Sequence, residues 1–327
     1  MGKAGQVNAD GAPTGRFPPW LKRSMPTGPE AAAVAKLLHE LGLSTVCAGA
    51  RCPNQAECFS RGTATFLILG DRCTRHCRFC AIPSTDRPAP PRQDEPEAVA
   101  EACVRLGLRH VVITSVTRDD LPDGGAGHFA ETIQAVRRRL PQAVIEVLTP
   151  DFAGNLTDVD TVLGARPDVF NHNVETVPRL YPLVRCGGDP QTRGGVPKAE
   201  VSALGALAFG GPASYERSLG VLAHAAGRGD ARGQPHVKSG LMLGLGEEAE
   251  EVRQVLKDLR GAGCEIVTIG QYLSPSREHL PVARFVEPAE FEAWESEARA
   301  MGFRAVASGP FVRSSYLAEN LFMGILP

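Results

Sequence analysis

Six of the nine cysteines in this 327-residue chain fall into two groups of three. The first and second triplets are Cys47-x4-Cys52-x5-Cys58 and Cys73-x3-Cys77-x2-Cys80. Thiolates are soft, anionic ligands that suit iron-sulfur clusters and zinc. A four-iron cluster usually takes one cysteine per iron, so each triplet leaves one iron open to a small molecule or to another residue of the chain. An open iron can take part in chemistry.

Two other uses of clustered cysteines remain as alternatives. A structural zinc site more often pairs two Cys-x2-Cys or Cys/His units to close a tetrahedron, and the second triplet encloses one histidine, His76. A disulfide framework is typical of small secreted domains that lack a core. This chain is 43% hydrophobic and shows no secretory leader, so we expect free thiols that hold iron-sulfur clusters.

The second triplet resembles the signature of the radical S-adenosylmethionine (SAM) superfamily. Its last cysteine follows an aromatic residue, Phe79, and the triplet follows the apolar run 66–69. The resemblance implies a [4Fe-4S] cluster held by Cys73, Cys77 and Cys80, with the amino and carboxyl groups of SAM on the open iron. It further implies that SAM accepts one electron and releases a 5′-deoxyadenosyl radical, which abstracts a hydrogen atom from the substrate.

The sequence around the triplets alternates between strand and helix patterns. Short apolar runs predict strands over residues 65–69, 110–116, 143–148, 168–173, 237–243 and 265–269, with a further one over 304–307. Apolar residues at helical spacing predict helices over residues 30–41, 97–106, 128–140, 157–163, 215–226, 248–259 and 288–301. Six βα units in succession predict an α/β fold, a partial (β/α)6-type radical SAM barrel with N-terminal and C-terminal extensions.

In a parallel barrel the functional side chains lie at the carboxyl ends of the strands, and the second triplet follows the first predicted strand. Asn173 and Glu175, at the end of another predicted strand, are predicted to bind hydroxyl groups of SAM. His172 beside them is expected to be a hydrogen-bonded core histidine and not a base. Gly244 and Gly246 are explained equally well by a tight turn or by cofactor contact.

Stretches spread over the whole chain resemble the lipoyl synthase family. They are CAGARCPNQAE (47–57), DRCTRHCRFC (71–80), VTRDDLPDGGA (116–126), NHNVET (171–176) and GPFVRSSY (309–316). The two triplets together with the Arg-Ser-Ser motif are specific to that family. Biotin synthase and its relatives share only the SAM triplet.

The resemblance implies a protein substrate, a lipoyl-carrier domain that bears an octanoyl chain on a lysine. Sulfur atoms replace hydrogens at carbons 6 and 8 of that chain, and unactivated C–H bonds of this kind require a radical cofactor. The resemblance also implies an auxiliary [4Fe-4S] cluster as the sulfur source, with Cys47, Cys52, Cys58 and Ser315 as its ligands. An electron donor and an iron-sulfur carrier that rebuilds this cluster are expected as further partners.

The sequence divides into four predicted segments. They are a flexible arm (1–29), an extension with the first triplet (30–64), the barrel (65–308) and a C-terminal segment that closes on the auxiliary cluster (309–327). Within the barrel, residues 186–213 depart from the family pattern, and their seven glycines and three prolines predict a flexible insertion. A different sulfur-inserting radical SAM enzyme, or a non-catalytic iron-sulfur scaffold disabled by the insertion, remain alternative functions.

Composition excludes several partners. The net charge is −2, so nothing in the overall charge indicates binding to nucleic acid or to an anionic membrane surface. No apolar run reaches the length of a membrane-spanning helix. We expect a cytoplasmic protein, with an organellar address in the arm as the alternative. Of the three remaining cysteines, Cys103 and Cys264 are expected to be buried and Cys186 to be exposed.

Overall fold

The computed structural model describes residues 17–22, 29–185, 213–228 and 235–325. The predicted insertion, except for Ala213, lies outside these residues, and so do Cys186 and most of the predicted arm. Residues 17–22 of that arm pack on the barrel: Leu21 is buried, and the Trp20 indole donates a hydrogen bond to the Val286 carbonyl at 3.2 Å.

The described residues form one eight-stranded sheet in which the strands follow each other in chain order. The strands are β1 (Ser44–Thr45), β2 (Thr65–Ile68), β3 (His110–Ser115), β4 (Val144–Leu148), β5 (Val169–Asn171), β6 (His236–Leu243), β7 (Ile266–Gln271) and β8 (Ala305–Gly309). Strands β2 to β8 are parallel to their neighbours, whereas β1 pairs antiparallel with β2 at one edge. The predicted α/β fold with a parallel sheet in chain order is confirmed.

Helices follow the strands and cover the outside of the sheet. They are α1 (Pro29–Glu40), α2 (Val46–Gly49), α3 (Gln55–Ser60), α4 (Glu95–Arg105), α5 (Ala126–Arg139), α6 (Leu156–Gly164), α7 (Tyr181–Val184), α8 (Tyr215–Gly227), α9 (Ala249–Gly261), α10 (Pro288–Ala300) and α11 (Ala318–Met323). Every predicted helix and strand is present, including the further strand β8. The sequence did not predict the two-residue β1 or the short helices α2, α3, α7 and α11, because elements of this length carry no periodicity. No helix of the described residues is long and apolar enough to cross a membrane.

The C-terminal residues pack under the barrel. Ile325 packs with the first residues of three strands, Val169, Ile266 and Ala305, and is 3% exposed. The ring of Phe322 on α11 makes edge-to-face contacts with His110 and His236, which begin β3 and β6. The apolar tail of the sequence therefore fills the amino-terminal end of the barrel, opposite the end at which parallel barrels place their chemistry.

Candidate functional site

The predicted site residues line one cavity of about 740 Å³. Its walls include the six cysteines of both triplets together with Ser315, Asn173 and Glu175. The polar strand ends Ser115, Thr149 and Gln271 line the same space. Residues that are far apart in the chain are thus brought to one side of the sheet, as the barrel topology requires.

The end of β2 is fixed before the second triplet begins. The backbone amide of Leu69 donates to the Glu95 carboxylate at 2.8 Å, and its carbonyl accepts from the Arg118 guanidinium at 2.9 Å. Arg118 is 1% exposed and also forms a two-pronged pair with Asp120. Leu69 has a φ of 68°, an uncommon value for a residue with a side chain, so these bonds hold the chain in the bend that leads into the cysteine loop.

Arg75 anchors the cysteine loop itself. It lies between Cys73 and Cys77, and its guanidinium donates to both carboxylate oxygens of Asp119 at 2.8 Å and pairs with Asp151 at 2.7 Å. Burial opposes the charge on Arg75, but the two carboxylates outweigh burial and raise its pKa. Burial likewise opposes the charge on Asp151, yet Arg75 holds the pKa of that carboxyl well below its usual range. The loop is therefore attached by buried ion pairs to the segments that follow β3 and β4.

The first triplet lies on and between the short helices α2 and α3. The Thr45 hydroxyl accepts a bond from the Ala48 amide at 3.3 Å and caps α2, which contains Cys47. The Cys52 amide donates to the Cys47 carbonyl at 3.0 Å, and Cys58 lies on α3. The extension thus forms a compact turn that presents its three thiols to the cavity.

Ser315 reaches the first triplet through Thr65. The Thr65 hydroxyl donates to the Ser315 hydroxyl oxygen at 2.9 Å. Thr65 is 5% exposed and lines the same cavity as Cys47. Burial raises the pKa of the Cys47 thiol, and Thr65 partly offsets that effect. The predicted serine ligand is therefore bonded to a buried residue beside a predicted cysteine ligand.

Two further contacts hold the C-terminal segment in place. The Asn54 side chain donates to the Phe311 carbonyl at 2.7 Å, and the Tyr316 hydroxyl donates to Glu57 at 3.1 Å. Gly270 on β7 lets this segment approach closely, because a Cβ there would lie 2.2 Å from the Val312 carbonyl oxygen. The segment is therefore fastened to the residues around the first triplet on both sides of Ser315.

Four of the six cavity thiols have raised pKa values. Burial raises the pKa of Cys58 and of Cys80 to about 12, and it also raises the pKa of Cys47 and of Cys77. Metal ligation requires thiolates, so a metal has to displace these protons when it binds. These thiols therefore become thiolates only when the metal binds.

The structure discriminates among the three uses of clustered cysteines. All eight cysteines of the described residues are free, so the disulfide alternative has no support. No three His, Cys, Asp or Glu side chains in the described part of the chain converge where a single metal ion fits. A zinc site needs its sulfur ligands about 2.3 Å from one point. Both triplets line one cavity, and the three thiols of each could serve three irons of a four-iron cluster.

The strand ends offer unfilled hydrogen-bonding groups to a polar cofactor. Among the described residues, Ser115 Oγ, Thr149 Oγ1 and Asn173 Oδ1 are buried and have no partner, although all three side chains line the cavity. Buried polar groups are normally satisfied, so these atoms indicate a ligand with donors and acceptors of its own. SAM has such groups in its ribose, its adenine and its amino acid part.

Glu175 lies at the same edge. Its φ is 68°, and backbone hydrogen bonds to β6 on both sides hold it there: its amide donates to the Gly240 carbonyl, and its carbonyl accepts from the Met242 amide. Burial raises the pKa of Glu175, while Arg185 at 3.9 Å lowers it. An uncommon backbone conformation with this much support is typical of functional sites.

The structure confirms the predictions that His172, Cys103 and Cys264 are buried residues of the core. His172 is buried, with Nδ1 bonded to the Thr149 carbonyl at 2.9 Å and Nε2 to the Ser218 hydroxyl at 3.0 Å. Cys103 and Cys264 are fully buried in the core. The glycines near 245 form a turn: Glu247 accepts bonds from the amides of residues 244 and 245, and the φ of Gly244 is 96°.

Sequence reasoning missed the residues that support the site. Thr65, Arg75, Asp151 and Arg185 had no predicted role, although Arg75 stands inside the second triplet. A charged residue enclosed by ligands is a usable signal, since a loop around a metal needs anchors as well as thiols. Thr65 carried no signal, because the first residue of a strand is commonly threonine.

Comparisons with known proteins agree with this geometry. The profile of the Radical SAM superfamily matches residues 67–259, and that of the N-terminal domain of lipoyl synthase of the Radical SAM family matches residues 3–52. Lipoyl synthase from Desulfotalea psychrophila is 52% identical over 305 residues, which are 93% of this chain and 92% of the relative. Lipoyl synthase from Thermus thermophilus is 47% identical over 322 residues, 98% of this chain and 91% of the relative.

Solved structures support the fold. HydG, a maturase of the [FeFe]-hydrogenase, aligns with a TM-score of 0.54 at 12% identity over 86% of this chain and 63% of its own. Methylornithine synthase aligns with a TM-score of 0.50 at 14% identity over 84% of this chain and 74% of its own. At these identities the likeness concerns the arrangement of strands and helices alone.

Proposed function

This chain belongs to the lipoyl synthase family of the radical SAM superfamily, and from that premise we propose how its residues carry out the reaction of the family. The substrate is an octanoyl chain on a lysine of a lipoyl-carrier domain, and the product carries sulfur at carbons 6 and 8. When bound, the SAM cluster supplies radical chemistry on unactivated C–H bonds, and the auxiliary cluster supplies sulfur.

The second triplet takes the SAM cluster. Cys73, Cys77 and Cys80 bind three irons, and Arg75 keeps their loop in place before any metal arrives, because its partners Asp119 and Asp151 are parts of the barrel. Asn173 and Glu175 bind hydroxyl groups of SAM. The unpaired oxygen of Asn173 supports this assignment.

The first triplet takes the auxiliary cluster, with Ser315 as its fourth ligand. The observation that carries the proposal is the hydrogen bond from Thr65 to Ser315, which holds the serine at the cavity that the three cysteines line. A serine oxygen would be an unusual fourth ligand beside three thiolates, and the bound cluster would supply the inserted sulfur. Thr65 would hold the Ser315 oxygen at this site.

The wider setting follows from the same premise. An electron donor and an iron-sulfur carrier that restores the auxiliary cluster are the remaining partners. We place the reaction in the cytoplasm, because free thiols and thiolate-held clusters suit a reducing compartment.

The two triplets have separable roles, and single substitutions test this. The full chain, reconstituted without oxygen, is expected to hold about eight irons, four for each cluster. Cys52→Ala should lose about half of the iron and all sulfur insertion but still cleave SAM, because radical generation needs only the second triplet. Cys77→Ala should lose both activities. Iron analysis, SAM cleavage and mass spectrometry of an octanoyl-lysine substrate measure the three quantities.

Two outcomes count against the assignment. If Cys52→Ala inserts sulfur at the normal rate, the first triplet is structural and a different sulfur source is required. If the chain takes up zinc without iron, both radical SAM alternatives fail and a non-catalytic scaffold remains. The control is Cys103→Ala, which alters a buried thiol away from the cavity and should change none of the three measurements.

A further inference from the structure

The adjacent serines of the C-terminal segment are bonded to different sides of the cavity. Ser315 bonds Thr65 near the first triplet, as described above. Ser314 accepts a hydrogen bond from the Asn173 side chain at 2.6 Å, at the carboxyl end of β5. Consecutive α-carbons are about 3.8 Å apart. The segment therefore connects the two proposed cluster sites by a single peptide unit.

The orientation of the Asn173 carboxamide depends on Ser314. Its Nδ2 donates to the Ser314 oxygen at 2.6 Å and reaches the Glu175 carboxylate only at 3.3 Å. With its NH2 group directed at these two oxygens, Oδ1 faces the opposite way, where it is buried and has no partner in the described part of the chain. Of the two hydrogen bonds that orient the carboxamide, the one to Ser314 is the shorter. Ser314 therefore helps to set the direction of the unpaired Oδ1.

A glycine on β6 lets these groups pack closely. A Cβ at Gly240 would lie 3.0 Å from Asn173 Oδ1, 3.3 Å from Ser314 Oγ and 2.5 Å from Thr268 Oγ1, so a larger residue would displace them. Asn173 lines the same cavity as the second triplet, and its unpartnered Oδ1 is suited to a hydroxyl-bearing ligand there.

We propose that Ser314 is a positioning residue that orients Asn173 toward SAM and makes SAM binding depend on the seating of the segment that carries Ser315. The inference rests on the proposed roles of Asn173 and Ser315. In consequence, SAM is bound well only when the C-terminal segment is docked at the auxiliary site. The radical is then generated only where the sulfur donor is in place.

The test measures SAM affinity on the full, anaerobically reconstituted chain by equilibrium dialysis with SAM itself. Ser314→Ala is expected to keep about eight irons and to bind SAM about fivefold to tenfold more weakly, the loss of one hydrogen bond. Asn173→Ala should weaken binding at least as much. The double variant should be no weaker than Asn173→Ala alone, because Ser314 acts through the carboxamide that is already gone.

Ser308→Ala is the matched control. Ser308 lies on β8, and its hydroxyl oxygen is buried with no partner among the described residues. Its removal should leave iron content and SAM affinity unchanged. Thermal unfolding of each variant separates an effect on affinity from an effect on folding.

Three results overturn the inference. The first is that Ser314→Ala keeps SAM affinity within twofold. The second is that the effects of Ser314→Ala and Asn173→Ala add fully. The third is that Ser314→Ala loses four irons, which would make Ser314 a ligand. The variant Ser315→Ala tests the premise separately. If it keeps the Mössbauer spectrum of both clusters, the proposed ligand role of Ser315 fails. If it loses the auxiliary spectrum but binds SAM normally, that role stands and the coupling is refuted.

Discussion

At the scale of the residue, the hydrogen bonds of a buried polar side chain show whether it is free to bind a ligand or is fully used in the protein structure. His172 lies one residue from Asn173 but is neutral, because burial lowers its pKa to about 4. The Thr149 carbonyl can only accept, so the proton is on Nδ1 and Nε2 accepts from Ser218. A histidine with both nitrogens bonded inside the protein is a structural element and not a base.

This state makes stability depend on pH. The pKa of His172 is about 6.5 in the unfolded chain and about 4 in the folded chain, so the unfolded chain binds the proton at a higher pH. The free energy of unfolding should therefore fall as the pH drops through this window, by on the order of 3 kcal/mol. His172→Gln removes the titrating group and should flatten this part of the profile. Urea unfolding of the metal-free chain at several pH values measures it, and the exposed His39→Gln serves as control. An unchanged slope in the His172 variant refutes the assignment.

At this scale the sequence predicted residues that line the cavity but not their supports. Cysteine spacing pointed to the two triplets and the family resemblance to Ser315, because ligand chemistry limits which residue types can serve. Thr65 and Ser314 escaped notice, since a hydroxyl becomes a positioning group only through a neighbour 250 or 141 residues away in the chain. Such a pairing depends on tertiary structure and leaves no local pattern.

At the scale of the element, the cysteine loop is rigid because of its ion pairs. Arg75→Leu would leave Asp119 and Asp151 buried without their main partner, and breaking a buried pair in this way costs about 3–5 kcal/mol. We expect that loss in urea unfolding of the metal-free chain, together with slower iron uptake by the second triplet. Adding Asp119→Asn should recover part of the stability, since one unpaired charge disappears. Arg72→Leu, at an exposed position of the same loop, should change neither quantity.

The helix α11 offers a second test at this scale. Phe322→Ala removes a ring that contacts His110 and His236, and truncation of a packed aromatic side chain costs about 2–4 kcal/mol. Since α11 follows the Ser315 segment directly, the variant should also retain less iron at the first triplet. Met323→Ala on the same helix alters a side chain that is 61% exposed and should have little effect. Equal losses from both variants would show that α11 does not anchor the segment.

The main helices and strands could be predicted because the spacing of their apolar residues matches the faces that they bury in the barrel. Asp168–Asn173 was predicted as one strand, but β5 ends at Asn171 because residues 172–176 turn inward to place Asn173 and Glu175 at the cavity. The residues after Tyr316 are mostly apolar, yet their place under the barrel depends on the amino ends of three strands. No local sequence pattern specifies such a place.

At the scale of the whole molecule, the eight cysteines of the described residues lie in two environments. Six line the cavity, whereas Cys103 and Cys264 are fully buried in the core. Replacing these two with alanine should cost about 1 kcal/mol each through lost packing and leave about eight irons bound. Iron analysis and urea unfolding of the double variant measure both effects. Loss of four irons would place one of these thiols among the ligands and require a different assignment.

The contact between Thr65 and Ser315 has a consequence for the order in which the protein is made. These residues are 250 positions apart, so a ribosome releases both cysteine triplets long before it adds the serine. Sheet strands that pair in chain order can form as they emerge, but the contact that closes the auxiliary site spans most of the sequence and is slow to form. A nascent chain can therefore present six thiols to the cell before it can hold both clusters. Iron delivered during synthesis would meet an incomplete site, and loading is best timed after the chain is released.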